Sequence, residues 1–413
     1  MERRVVITGM GALTPVGNNI DEMWESLKQG KCGIDEITRF DTTDYKVKLA
    51  GELKNFNEEE YLEKKECRKL DKFSKYAIIA AREAWKDSGL DRETQDMERV
   101  ATILGAGIGG IETIEQENKK LLTKGPDRIS PLYIPTGIVN MAAGNVAIDL
   151  GTKGESIAIV TACATGTHCI GESFRIIRHG YQDIAVTGGT EASISPSSIA
   201  GFTNARALTK ETNKNRASIP FDKERSGFVM GEGAGILILE ELEHAKKRNA
   251  KIYAEIIGYA ASSDAYHITS PLPDGEGGAR AMKNAIKDAK IDPKEITYIN
   301  AHGTSTHLND ACETKAIKTA LGEENAKKVL VSSTKSSTGH MLGAAGAVEA
   351  IVCAKAIQES FVPATINYQV PDEECDLDIV PNEGRNVEVN YAMSNSLGFG
   401  GHNTSIVLKK YQD

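Results

Sequence analysis

The sequence predicts a layered α/β protein built from two related halves. Short apolar runs alternate along the chain with longer amphipathic ones, the pattern of strands and helices stacked in layers. Two distant segments are alike, Val5-Val6-Ile7-Thr8-Gly9-Met10-Gly11-Ala12 and Ala254-Glu255-Ile256-Ile257-Gly258-Tyr259-Ala260-Ala261. At 413 residues the chain is long enough for two domains or one large double-layered one.

Val5-Val6-Ile7, Val100-Ala101-Thr102-Ile103-Leu104, residues 156–161, Ile184-Ala185-Val186 and residues 235–239 read as buried strands. Phe73, Tyr76, Ala77, Ala80 and Ala84 recur at helical spacing, and Gly89 follows as a stop. The charged stretch 240–251 closes a first half. The division is therefore 1–251, with a candidate nucleophilic cysteine, and 252–413, with two candidate histidines. A second likeness pairs the strand ending at Cys163 (Thr161-Ala162-Cys163-Ala164-Thr165-Gly166-Thr167) with the one ending at His302 (Tyr298-Ile299-Asn300-Ala301-His302-Gly303-Thr304-Ser305). Related halves would bring both junctions to one seam.

Composition excludes several classes. With 49 basic and 58 acidic residues the net charge is −9, which disfavours nucleic acid as a partner. The seven cysteines are scattered, odd in number and form no CxxC. That argues against a disulfide framework or structural zinc and for reduced thiols in the cytoplasm. No apolar run reaches the ~18 residues of a membrane span. The start runs into a strand without the apolar core of a signal peptide.

Cys163 stands between a strand and a helix predicted over 166–178, with Ile170, Phe174 and Ile177 at helical spacing. Free amides and the helix dipole there favour a thiolate and can hold an oxyanion; the alternative is a buried structural cysteine. His302 follows a strand in a turn rich in small and hydroxyl residues, where it can exchange protons or simply bond a hydroxyl. His302, His307 and Asp310 also have ligand-like spacing, but the segment does not set them on one helix face, so no metal is expected. His340 ends Lys335-Ser336-Ser337-Thr338-Gly339-His340, ahead of a small-residue stretch that reads as a buried helix. Lys335 and Glu349 beside such a helix call for each other as an ion pair.

Gly398-Phe399-Gly400-Gly401 lets the Phe399 backbone approach a ligand, as a gate or as an ordinary turn. Residues 105–110 match GxGxxG, yet the acidic residue a dinucleotide site needs falls in a loop at Asp127. The glycines are read as packing, with Ile108 facing a channel. Lys65, Arg68, Lys69 and Lys72 fall at i, i+3, i+4 and i+7, one basic helix face that is either solvated or docks an acidic helical partner.

These ordered segments resemble the β-ketoacyl-[acyl-carrier-protein] synthases of fatty acid synthesis, particularly the type II elongation synthases, over essentially the whole chain. The resemblance implies a thiolase-like fold, duplicated βαβαβαββ halves in five α-β-α-β-α layers, in a cytoplasmic homodimer. It implies a decarboxylative condensation of malonyl-carrier with a Cys163-bound acyl group, His302 and His340 assisting and Lys335 as supporting cation. The Cys163 and Phe399 amides would form the oxyanion hole, with Phe399 as gate. Thr269, Thr304 and Thr306 would line the phosphopantetheine channel, and Ile108 and Phe202 the acyl pocket. Lys65, Arg68, Lys69 and Arg206 would dock the acyl carrier protein. It implies no cofactor beyond the phosphopantetheine on the carrier. His307 and His402 depart from the residues many relatives have, proline and threonine.

Rival readings are weaker. A degradative thiolase wants a second catalytic cysteine near the C-terminus, and Cys375 lacks a glycine-rich turn. A synthase priming from coenzyme A would carry asparagine in place of His340. A non-catalytic chain-length partner would lack Cys163.

Overall fold

The computed structural model describes residues 2–412. We number the ten strands of its main sheet β1 Val5–Leu13, β2 Val100–Gly105, β3 Ser156–Ile157, β4 Ile184–Glu191, β5 Gly233–Glu241, β6 Ala254–Ser263, β7 Tyr298–Asn300, β8 Leu330–Ser332, β9 Tyr391–Gly398 and β10 His402–Lys409. The helices that frame them are α1 Lys72–Ser88, α2 Ile111–Lys124, α3 Met141–Leu150, α4 Thr165–Arg178, α5 Glu276–Ala289, α6 His307–Leu321 and α7 Ala345–Glu359.

The strand order is β8-β7-β9-β10-β6-β1-β5-β4-β2-β3. In the first half β1 pairs antiparallel with β5, β5 antiparallel with β4, β4 parallel with β2, and β2 parallel with β3. The second half repeats this sequence of pairings as β6, β10, β9, β7 and β8. The two meet where Val5, Val6 and Ile7 pair with Ile256, Glu255 and Ala254, the two segments whose sequences are alike.

Layering follows from which faces are apolar. In α1, Phe73, Tyr76, Ala77, Ala80 and Ala84 pack with α3 against the first half of the sheet. Asp71 caps its start by accepting from the Phe73 amide, and Gly89 ends it at φ 66°, the left-handed stop that glycine adopts freely. In the second half α5 and α6 cover the outer face through Met282, Ile286, Ile317 and Ala320. Between the two halves lie α4 and α7. Every residue of α7 from Ala345 to Ile357 is buried, Glu349 and Lys355 included; the remainder of that run is apolar or small all round, which calls for burial. The result is the five-layered α-β-α-β-α arrangement of a thiolase-like fold.

Three expectations are corrected. The repeat does not equate the strand before Cys163 with the strand before His302. By pairing order β3 corresponds to β8, and β7 to β2. The counterpart of the turn Ala162–Ala164 is Leu342–Ala344, so Cys163 answers to Gly343. Both turns open on a left-handed residue, Ala162 at φ 51° and Leu342 at φ 46°. The misleading likeness came from two strand-to-helix turns that need the same small residues.

Secondly, residues 156–161 are not a buried strand. Only Ser156–Ile157 pair, at the sheet edge, with Ile157 38% and Val160 46% exposed. Thirdly, the basic helix face is broken. Lys64–Cys67 form one turn, the chain then bends, and α1 starts afresh at Lys72 because Asp71 caps it. Lys65, Arg68 and Lys69 are exposed, while Lys72 pairs with Glu112 at 2.8 Å.

The middle layer is close enough to admit only glycine at its crossings. A Cβ on Gly189 would stand 2.1 Å from the Gly343 carbonyl oxygen, and one on Gly166 2.8 Å from the Ala347 amide nitrogen. Both obstacles are backbone, so they cannot swing aside. Gly189→Ala is expected to cost ~1–3 kcal/mol or more through overpacking, read as a lower urea midpoint with an unchanged slope.

Candidate active site

Turns from both halves converge on one cavity of about 320 Å³. Its lining includes Cys163, Phe202, Arg206, Thr269, His302, Thr304, Thr306, His340 and Phe399, all singled out from sequence. Ile108 stands just outside that lining, in the apolar cluster that holds Cys163 and Phe202. Lys335 lies buried behind the cavity, 1% exposed. Lys65, Arg68 and Lys69 lie elsewhere, on the surface.

Cys163 sits in the turn that feeds α4. Gly398 lets the hairpin turn of β9 and β10 lie on it, since a Cβ there would crowd the Thr161 carbonyl oxygen at 2.9 Å and the Cys163 amide nitrogen at 3.3 Å. The backbone amides of Phe399 and of Cys163 itself then face the sulfur. The helix start was expected to favour a thiolate. Burial outweighs it and pushes the thiol up to about 11, against the pull of the Lys335 charge and the two amides.

His302 is fixed from below. Its amide and that of Gly303 donate to the two oxygens of Glu313 on α6, each at 2.8 Å, and the Thr304 and Ser305 amides donate to Asp310. Asp310, considered from spacing as a metal ligand, is instead an anchor for this turn. Among the described residues no group of His, Cys, Asp and Glu has metal-binding geometry.

His340 is held by its amide, which donates to the Val229 carbonyl at 2.7 Å, and by Phe228, edge-on to its ring at 5.2 Å. The two imidazoles stand 5.2 Å apart at 86°. Nδ1 of His302 and both ring nitrogens of His340 find no hydrogen-bond partner among the described residues. Burial lowers the pKa of both rings well below the ordinary value, and the charge of Lys335 lowers them further. Both are uncharged at neutral pH. The site thus offers one thiol, two amides aimed at it and two neutral imidazoles with free nitrogens, a set able to stabilise an oxyanion without protonating it.

Phe399 leans on Phe202 at 6.1 Å. Its turn is tied to the loop that carries Thr269: the Gly400 amide donates to the Ile268 carbonyl, and Asp264 bonds both Asn403 and the Leu272 amide. Sequence reasoning missed Glu313, Phe228 and Asp264. Glu313 lies on α6 three residues after Asp310, and nothing local marks it. Phe228 looks like any core aromatic.

A layered α/β fold of duplicated halves with this site defines a thiolase-like condensing enzyme. Comparison with known proteins agrees. Residues 2–245 match the beta-ketoacyl synthase N-terminal domain family and residues 253–369 its C-terminal domain family. The chain belongs to the β-ketoacyl synthase family. It is 56% identical over 410 residues to the 3-oxoacyl-[acyl-carrier-protein] synthase 2 of Staphylococcus aureus strain COL, 99% of each chain being covered. With the enzyme of that name from Synechocystis it shares 50% over 412 residues, 100% of this chain and 99% of the other. Among solved structures, a type II PKS ketosynthase in complex with its acyl-carrier protein superposes with a TM-score of 0.92 at 36% identity, covering both chains fully. The ishigamide ketosynthase/chain length factor does so at 0.93 and 35%, again with full coverage of both.

The lowered histidines set a pH dependence. Below the ordinary histidine pKa of about 6.5 the unfolded chain takes up protons that His302 and His340 refuse, so stability is full above that pH and is lost as pH falls. Glu83 and Glu313, both raised to about 7 by burial, push the other way over the same range. The contribution of the two rings is therefore expected as a difference, the urea midpoint of the parent dropping relative to that of a protein carrying His302→Asn and His340→Asn on going from about pH 7 to about pH 5.

Proposed function

We propose that this enzyme elongates acyl chains on a carrier protein in fatty acid biosynthesis, with Cys163 as the acyl-accepting nucleophile and His302 and His340 as the pair that assists decarboxylation. The observation that carries the assignment is the convergence of that thiol with two uncharged imidazoles in one cavity.

In the first half-reaction the Cys163 sulfur attacks an acyl thioester and the thiol proton leaves on the departing carrier thiol. The amides of Cys163 and Phe399 hold the tetrahedral oxyanion. Malonyl thioester then binds, its carboxylate leaves as carbon dioxide, and the bonding electrons remain as an enolate. His302 and His340, neutral and with free nitrogens, donate hydrogen bonds to the enolate oxygen. The carbanion attacks the acyl-enzyme carbonyl, a carbon–carbon bond forms, and the Cys163 sulfur is expelled as thiolate and takes a proton from solvent. The product is a β-ketoacyl thioester two carbons longer. Lys335 acts from behind as the cation of the site, and the chemistry asks for no cofactor but the phosphopantetheine on the carrier.

Thr269, Thr304 and Thr306 in the cavity lining suit the phosphopantetheine arm, and Ile108 and Phe202 the acyl chain. Exposed Lys65, Arg68, Lys69 and Arg206 would meet an acidic carrier; the neighbour solved with its acyl-carrier protein supports that kind of partner. The nucleophile comes from a first half, 1–251, and both imidazoles from a second, 252–413. We read the enzyme as a cytoplasmic homodimer. The edge strand β3 has an unpaired side, and Ile157, Val160, Ile148, Ile134 and Ile138 leave an apolar surface around it, which a second copy would cover.

Cys163→Ala is expected to abolish labelling by a cysteine-directed acyl mimic and to lower condensation of acyl-carrier with malonyl-carrier by about three orders of magnitude or more; equal labelling of parent and variant sinks the assignment. Sedimentation should give twice the chain mass, and Ile157→Asp should shift it toward the monomer.

A further inference from the structure

The glycine-rich turn after β2 has a job that the reaction does not absorb. Consecutive amides in such a turn form a nest suited to an anion, and in a dinucleotide site that anion is a phosphate. Here the nest is filled from within. Glu191, the last residue of β4 and wholly buried, accepts from the amides of Gly107 at 2.7 Å, Ile108 at 3.2 Å and Gly109 at 3.2 Å. It also accepts from the Gly343 amide at 3.1 Å and the Ser193 hydroxyl at 2.9 Å. All five donors are neutral, so a buried carboxylate is held by dipoles alone, a costly arrangement where nothing depends on it. Nest and occupant are fitted to each other: a Cβ on Gly107 would stand 2.7 Å from the Glu191 oxygen, and one on Gly343 2.3 Å from the Gly107 nitrogen.

The middle residue of the nest is Ile108. Its backbone is bonded to Glu191 while its side chain joins the apolar cluster with Cys163, Phe202, Phe228 and Leu342. We propose that Glu191 is a positioning residue for acyl-chain selection: its carboxylate fixes the Gly107-Ile108-Gly109 turn and so sets the wall that an acyl group on Cys163 packs against. The inference rests on the acyl-enzyme reading above. It extends that reading to a residue that touches neither substrate nor sulfur.

A glutamine in place of Glu191 keeps the size but turns one acceptor into a donor facing amides that also donate. The turn must shift, and a misplaced wall acts more on a long chain than on a short one. The test measures the rate of acylation at Cys163 with acetyl- and decanoyl-carrier thioesters, by intact mass. Glu191→Gln is expected to slow decanoyl transfer about ten- to a hundredfold and acetyl transfer far less. With Ile108→Ala already in place, Glu191→Gln should leave the ratio of the two rates unchanged, because the effect runs through that side chain. Equal losses on both thioesters, or a ratio that changes as much without the Ile108 side chain as with it, overturn the proposal. A parent enzyme that takes neither acyl group at Cys163 overturns the functional reading itself, and the inference with it. Should Glu191→Gln not fold, Gly109→Ala strains the same turn at φ 86° and is held to the same two outcomes.

Discussion

At the centre of the molecule a lysine ammonium and a glutamate carboxylate are held together where water does not reach. Lys335 and Glu349 are 1% and 2% exposed and ion-paired with each other. Neither charge is tolerable there alone, since removing one partner of such a pair strands the other in a medium that cannot solvate it. The pair joins the loop after β8 to α7, so it fixes how the central helix sits behind the cavity. Its field reaches the side chains of the cavity as well. The ammonium adds to burial in keeping both imidazoles uncharged, and it opposes burial at the Cys163 thiol. Burial first, and this one cation second, keep both rings neutral.

The duplication explains why the site has one thiol. Equivalent turns enter the middle layer from each half, with Cys163 in one and Gly343 in the other. The glycine is needed because the Gly107 amide lies where a side chain would be. The turns after β2 and β7 are likewise equivalent and have diverged in kind. One carries His302 on Glu313; the other wraps its amides around Glu191. In both, a carboxylate from a neighbouring element holds a turn by its backbone.

Much of the fold was legible in the sequence. The period of α1, the strands β1, β2, β4 and β5 and the likeness of β1 to β6 are local patterns, fixed by which faces meet the core. The register of the repeat was not, because strand-to-helix turns look alike wherever they fall. Residues 156–161 were misread for a related reason: an apolar edge strand and an apolar buried strand have the same composition. The basic face failed on one residue, Asp71, whose side chain caps α1 and breaks the helix that the charge spacing suggested.

For the site, the sequence by itself marked the thiol, the imidazoles and the small-residue turns that carry them; each alone reads equally as a structural residue, and only their ordered set resembles a family with a known chemistry. Tertiary structure decided everything that depends on distance and burial. It brought Cys163, His302 and His340 to one cavity from turns far apart in the chain, raised the thiol and kept the rings neutral. It also recruited Glu313 and Glu191, which in sequence are ordinary acidic residues. A carboxylate becomes an anchor only when folding removes water from around it and leaves backbone amides in its place, and no local pattern records that exchange.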